Sequence, residues 1–241
     1  MKLRSFKVLT FDCYGTLIDW ETGMVEALKP LTHRPQLGRL QLSHNAILEA
    51  HAKYESSQQR QNPHSPYPLI LATVYKRLAE SWSLSVSWAE CLHYGQSVKN
   101  WPTFPDSAEA LSYLKQHYKL VILSNVDNES FAASNEKLGV DFDAIYTAQD
   151  IGSYKPSQGN FDYMLWHLRE LGYGKEDILH TAESMFHDHQ PANKSGLASC
   201  WIYRRHAQEG FGATMHPGEM PKYHFRFNSM ADMVKAHQQD L

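Results

Sequence analysis

Phe6-Lys7-Val8-Leu9-Thr10-Phe11-Asp12-Cys13-Tyr14-Gly15-Thr16-Leu17 is the stretch whose reading decides the fold. Its first half is short, apolar and β-branched, the composition of a buried strand. A carboxylate, Asp12, ends the run, and Gly15 permits a sharp turn just beyond it. The run is too short for a signal-peptide core or a membrane helix, so it reads as the first strand of a domain.

Outward from that strand the rhythm changes twice. From about Glu21 to Val98 apolar residues recur at helical spacing: Ile47, Leu48 and Tyr54, then Leu71, Val74 and Leu78, then Trp88, Cys91 and Leu92. Three prolines in Asn62-Pro63-His64-Ser65-Pro66-Tyr67-Pro68 break the pattern, and no segment here reads as a strand. From Pro105 strands and helices alternate. Lys119–Ser124, Ala144–Thr147, Asp177–Thr181, Ser199–Tyr203 and Tyr223–Phe227 read as strands. Between them lie helices carrying Leu111 and Leu114, then Phe131 and Leu138, then Phe161 to Leu171, then a helix ending near Gly196, with Ser229 to His237 last. Asp106 and Glu109 have the spacing of a capping box, and Asp127 that of a helix cap. Such alternation predicts an α/β fold: a Rossmann-like parallel-sheet core, residues 1–19 and 99–241, with an inserted helical cap domain, residues 20–98.

Composition narrows the function classes. Of 241 residues 42% are hydrophobic and 20% charged, and the formal net charge is −3. With no basic run, neither a nucleic acid nor an anionic membrane is an expected partner. Three cysteines (Cys13, Cys91, Cys200) do not make a disulfide framework, which points to a reducing, cytoplasmic setting.

In open parallel sheets, ligands bind beyond the carboxyl ends of the strands. Asp12, Ser124, Asn125, Lys155, Glu183 and Asp188 all fall at or just after such ends. Asp12 has the chemistry of a carboxylate nucleophile, which divides one hard displacement into two easier ones. Lys155 is expected to hold Asp12 ionised and position it, Ser124 and Asn125 to bind the transferring or departing group, and Asp188 to pair with Lys155, position water or help bind a metal. His187 and His189 read as local packing groups, and Cys13 as buried. Trp82, Trp88 and Trp101 read as core, Arg204 and Arg205 as surface charges.

These residues also carry a family resemblance. Phe11-Asp12-Cys13-Tyr14-Gly15-Thr16-Leu17 resembles the first motif of the haloacid dehalogenase superfamily. Ser124-Asn125 resembles its second, Lys155-Pro156 its third and Glu183-Ser184-Met185-Phe186-His187-Asp188 its fourth. The resemblance spans nearly the whole chain and implies a helical cap between motifs one and two. It implies catalytic roles for Asp12, Thr16, Ser124, Asn125, Lys155 and Asp188, with substrate contacts from Tyr14, Ser124 and Asn125. Phosphatases of the superfamily place a second Asp where this chain has Tyr14. An alkoxide leaving group needs a general acid there, and a halide does not. Asp12-x-Tyr14-Gly15-Thr16 is therefore similar to the 2-haloacid dehalogenase branch, which hydrolyses a carbon–halogen bond through an aspartyl ester without a cofactor.

Three departures stand against that branch. No Arg lies between His44 and Gln59, where the branch has a halide-binding Arg, and Arg60 and Arg77 are not matched to it. Phe161 stands where the branch has Tyr, and Met185 where it has Asn. The expected substrate is a small molecule, a short carboxylic acid. One alternative is a magnesium-dependent phosphatase with the metal on Asp12, Tyr14, Glu183 and Asp188. Another is a non-catalytic binding protein. A homodimer is compatible with the apolar cap helices, as is a cap packed on its own core.

Overall fold

The computed structural model describes residues 1–38 and 42–240. The first strand, β1 (Val8–Phe11), is buried throughout. Directly after Asp12 the chain turns back on itself, and the Cys13 carbonyl accepts from the amides of Thr16, Leu17 and Ile18. Gly15 makes this possible with φ +93°, and a Cβ there would meet the Trp20 indole at 2.9 Å.

Four helices follow: α1 (Trp20–Thr32), α2 (His44–Gln61), α3 (Tyr67–Ser81) and α4 (Trp88–Gly95). Local chemistry sets their starts. Asp19 accepts from the Thr22 amide, Ser43 accepts from Ala46, and Ser87 with Glu90 forms a capping box. Leu71, Val74 and Leu78 of α3 are buried as their spacing predicts. Trp101 is fully buried, Trp82 half-buried, and Trp88, read above as core, is 49% exposed. The chain leaves the core and returns to it side by side. Asp19 donates to the Pro102 carbonyl (2.8 Å) and Phe104 to that of Leu17 (3.1 Å).

The rest of the chain alternates: α5 (Ser107–Leu114), β2 (Lys119–Ser124), α6 (Asn128–Leu138), β3 (Ala144–Thr147), α7 (Ala148–Ile151), α8 (Gln158–Glu170), β4 (Ile178–Ala182), α9 (Gln190–Lys194), β5 (Ala198–Ile202), β6 (Phe225–Phe227) and α10 (Met230–Asp240). All six strands pair in parallel in the order β3-β2-β1-β4-β5-β6. The Rossmann-like core and helical cap expected from the sequence are present. Because β2 and β4 flank β1, connections run outward on both sides of it. The crevice beyond the carboxyl ends of β1 and β4 is the switch point where such folds bind ligands.

Asp127 caps α6 through the Ser130 amide, 2.9 Å away, as expected. Asp106 does not cap α5. Its carboxylate instead accepts from Arg204 and from the Ala231 amide at the start of α10. A charged long-range donor outcompetes the helix's own amide for these two oxygens.

Candidate active site

At the carboxyl end of the sheet Lys155 is 1% exposed, and its ammonium donates three hydrogen bonds. The acceptors are Asp12 Oδ1 (2.9 Å), Asp188 Oδ1 (2.7 Å) and the Leu123 carbonyl (2.8 Å). A buried ammonium has three protons to satisfy, and this arrangement satisfies all of them. The Asn125 side chain pairs with the Lys155 backbone in both directions: its amide donates to the Lys155 carbonyl (3.0 Å) and its oxygen accepts from the Lys155 amide (2.7 Å). Asn125 thus fixes the chain that carries the lysine.

Thr16 reaches back over the turn and donates to Asp12 Oδ2 (3.0 Å), while its hydroxyl accepts from the Glu183 amide (2.9 Å). Asp188 lies on a single π-helical turn, Met185–His189. His180 Nε2 sits 3.0 Å from the same Asp188 oxygen that Lys155 holds, and His180 Nδ1 is 2.8 Å from the Thr10 hydroxyl. Asp188 Oδ2 is buried with no hydrogen-bond partner among the described residues, as is Ser124 Oγ.

Electrostatics separates the two aspartates. Burial raises the Asp12 carboxyl above its ordinary value, the Lys155 ammonium opposes that rise, and Asp188 adds to it. Lys155 therefore only partly holds Asp12 as an anion, because its charge is shared. Burial would also raise Asp188, but Lys155 and His180 outweigh it and hold that carboxyl far below the usual range. Burial would strip the proton from Lys155, and the two carboxylates more than reverse this.

A cavity of about 30 Å³ opens on this cluster. Asp12, Asn125, Lys155, Ser184, His187 and Asp188 line it from the core, and Glu55 and Tyr67 from the cap. The Tyr14 ring also borders it, but its hydroxyl lies 2.8 Å from Ser134 Oγ and donates toward the Ser130 carbonyl (3.2 Å). Burial raises Tyr14 well above the usual phenol range, and its hydroxyl is engaged with Ser130 and Ser134. Ser124 is 1% exposed at the end of β2 but does not border the cavity.

Three groups of the site are not read from the sequence, Glu55, Tyr67 and His180, and His187, expected to pack locally, lines the cavity. His187 Nδ1 faces the hydroxyls of Ser184 (3.2 Å) and Thr214 (3.3 Å), and burial lowers its pKa so that the ring is neutral. His189 turns away, toward Ser199 and the Ala182 carbonyl, as a packing group.

Arg204 and Arg205 are not surface charges. Arg204 clamps the Asp106 carboxylate (2.8 and 3.0 Å), donates twice to the Thr16 carbonyl (3.1 and 3.0 Å) and stacks on Phe104. Arg205 pairs with Glu21 and also reaches Asn45 and the Glu209 carbonyl. Two arginines thus brace the turn that follows Asp12 and the start of α1. Glu183 lines their cavity and not that of Asp12. Burial, with Glu21 and Asp12 nearby, pushes it up to about 8.

A doubly wound sheet with a lysine and two aspartates at its switch point, roofed by an inserted helical cap, defines a capped, Rossmann-like class of enzyme. The chain belongs to the haloacid dehalogenase-like hydrolases, whose family model matches residues 6–180. Among solved structures it is similar to a defluorinating L-2-haloacid dehalogenase (16% identity, 98% of each chain, TM-score 0.76). It is also similar to the L-2-haloacid dehalogenase from Xanthobacter autotrophicus with chloropropionic acid covalently bound (17% identity, 97% of this chain and 98% of that one, TM-score 0.76). A third is the protein YfnB from Bacillus subtilis, bound to magnesium (17% identity, 97% and 99% covered, TM-score 0.72). No curated relative matches the sequence.

Magnesium in this family makes the donor set worth testing. Here the ammonium of Lys155 bridges the two aspartates. Asp188 Oδ1 is engaged twice, Asp12 Oδ2 accepts from Thr16, and Glu183 stands in another cavity. Among the described residues no three His, Cys, Asp or Glu side chains are grouped to hold a metal. Of the residues proposed from sequence for magnesium, Asp12, Tyr14 and Asp188 line one cavity and Asp188 Oδ2 is left free, while Glu183 stands apart from them.

Proposed function

We propose that this chain hydrolyses a carbon–halogen bond in a small organic halide, through an ester on Asp12. An oxygen of Asp12 attacks the carbon, and the carbon–halogen bond breaks with its electron pair leaving as halide. Water then attacks the carboxyl carbon of the ester, releasing the alcohol and restoring the aspartate. Asp188 Oδ2 is a free acceptor for that water, and the neutral imidazole of His187 is a base on the same cavity. Lys155 stays charged throughout and fixes both aspartates.

The observation that carries this reading is the fate of Tyr14. The position that would hold a general acid for an alkoxide leaving group is a phenol turned outward to Ser130 and Ser134. A leaving group that departs without a proton suits such a site.

The test is halide release from short organohalides in EDTA, with Asp12→Asn as control, and a single turnover in ¹⁸O water. The expected outcome is halide from the wild type only and ¹⁸O in the Asp12 carboxylate. Label in the alcohol alone, or an equally active Asp12→Asn, refutes an aspartyl ester. Phosphate release from an ester that appears only with magnesium would make the chain a phosphatase instead.

A further inference from the structure

The cap side of the site bears a carboxylate of its own, on the same cavity as Asp12 and Asp188. Glu55 sits on α2, is 7% exposed and lines the cavity that holds Asp12, Lys155 and Asp188. Its Oε1 accepts from Tyr67 Oη (2.9 Å) and Gln59 Nε2 (3.0 Å). Its Oε2 accepts no hydrogen bond from the described residues. His51 Nδ1 lies 3.3 Å from it as an ion-pair neighbour and completes no hydrogen bond. An acceptor oxygen is thus left over on the wall of a closed site.

The charges around it agree. Three carboxylates line the inner cavity against one ammonium, that of Lys155, among the described residues. The ammonium spends all its protons on Asp12, Asp188 and Leu123. A larger outer cavity of about 600 Å³ shares Tyr67 and Val126 with the inner one. Its charged lining residues are Asp127 and Glu129. Arg60, the arginine of α2, lines neither of these cavities but a third one, with Gln59, Phe186 and Lys155. A carboxylate substrate would cross an acidic vestibule to meet a second buried anion, with no free cation lining either of these two cavities among the described residues.

We propose that Glu55 selects the substrate, and that the substrate is a small organohalide bearing an N–H donor, an amide or an ammonium, in place of a carboxylate. The donor binds Glu55 Oε2 and turns the halogen-bearing carbon toward Asp12. This rests on the carbon–halogen chemistry proposed above, but recognition by Glu55 is measurable without turnover. Burial alone would raise the Glu55 carboxyl. The nearby His51 and the Tyr67 hydroxyl outweigh burial and hold it below the usual range, so the acceptor is charged when the donor arrives.

Calorimetric titration of the full chain with propionamide, propylammonium and propionate tests the proposal, on wild type and on Glu55→Gln. One charge-assisted hydrogen bond is expected to favour the better N–H ligand over propionate by about tenfold or more in the wild type. Glu55→Gln should remove most of that preference. The amide and ammonium arms show whether the donor is neutral or charged. Propionate binding as tightly as either N–H ligand, or an unchanged preference in Glu55→Gln, overturns the proposal. Should that variant fail to fold, the wild-type ratio decides alone. Halide release from 2-chloroacetamide and chloroacetate separates the two readings. Glu55-dependent binding without halide would sink the chemistry and leave the recognition. Preferred dechlorination of chloroacetate, indifferent to Glu55→Gln, would sink the recognition and leave the chemistry.

Discussion

The core wall and the cap wall of this site both present buried carboxylates, and they treat them differently. On the core side Asp12 and Asp188 share a full positive charge, and the network runs on through His180 to Thr10. Thr10 and His180 are register partners on adjacent parallel strands, so the backbone ladder itself sets this spacing. On the cap side His51, Glu55 and Gln59 stand one helical turn apart on α2, joined by Tyr67 of α3 and Tyr94 of α4. No lysine or arginine of the described residues enters that cluster. The core wall is built to hold its charges still for chemistry. The cap wall holds its one carboxylate with His51 and the Tyr67 hydroxyl and no full cation, and a ligand can complete it.

Removing the core cation should have the largest effect. Lys155→Met leaves Asp12 and Asp188 facing each other with no cation between them, and breaking a buried pair in this way costs about 3–5 kcal/mol. Urea unfolding should show that loss, and halide release should fall to the level of Asp12→Asn. A variant as stable as wild type would mean that the two aspartates do not depend on the ammonium, and the contrast between the walls would go with it.

Glu183 sharpens the comparison, because it is as buried as Glu55 and shifted the opposite way. Glu55 has hydrogen-bond donors. Glu183 has none on its side chain among the described residues, and its cavity also holds Glu21. With its folded value pushed up to about 8 against 4.5, the folded protein keeps a proton that the unfolded chain releases. The stability this contributes is complete below 4.5 and is lost as pH rises through about 8. Glu183→Gln should therefore gain on wild type by about 1.4 kcal/mol per pH unit across that window, read by urea unfolding at several pH values. A difference that stays flat with pH would mean that Glu183 ionises normally.

The two walls also differed in how far the sequence disclosed them. Asp12, Lys155 and Asp188 were readable because parallel strands deliver their ends to one crevice, and a strand end is visible as a polar residue closing an apolar run. Glu55 lies in a segment with the composition of a solvated helix. The signal was there in part: Ile47, Leu48, His51, Ala52 and Glu55 follow one helical stripe, and that stripe is buried. What sequence spacing cannot carry is the roof that buries it, since Tyr67 and Tyr94 come from other helices. Arg204 and Arg205 were misread for the same reason. Their partners, Asp106 and Glu21, are 98 and 184 positions away. Asp106 was given to its own helix because a local cap is all that neighbouring residues can suggest.

Tyr67→Phe should give the smallest effect and isolates the cap wall most cleanly. The phenol donates to Glu55 Oε1 at 2.9 Å, and losing one hydrogen bond to a charged group costs about 1.5–3 kcal/mol. The ring remains to fill the same space, so no cavity forms and the core network is untouched. Unfolding in urea should show the loss while the pH dependence tied to Glu183 stays as in wild type, because the two glutamates line different cavities. The Glu55 carboxylate, short of one donor, becomes a stronger acceptor, so an N–H ligand should bind Tyr67→Phe at least as tightly as wild type. Weaker binding together with lower stability would mean that Tyr67 itself meets the ligand and that Glu55 acts only as its anchor.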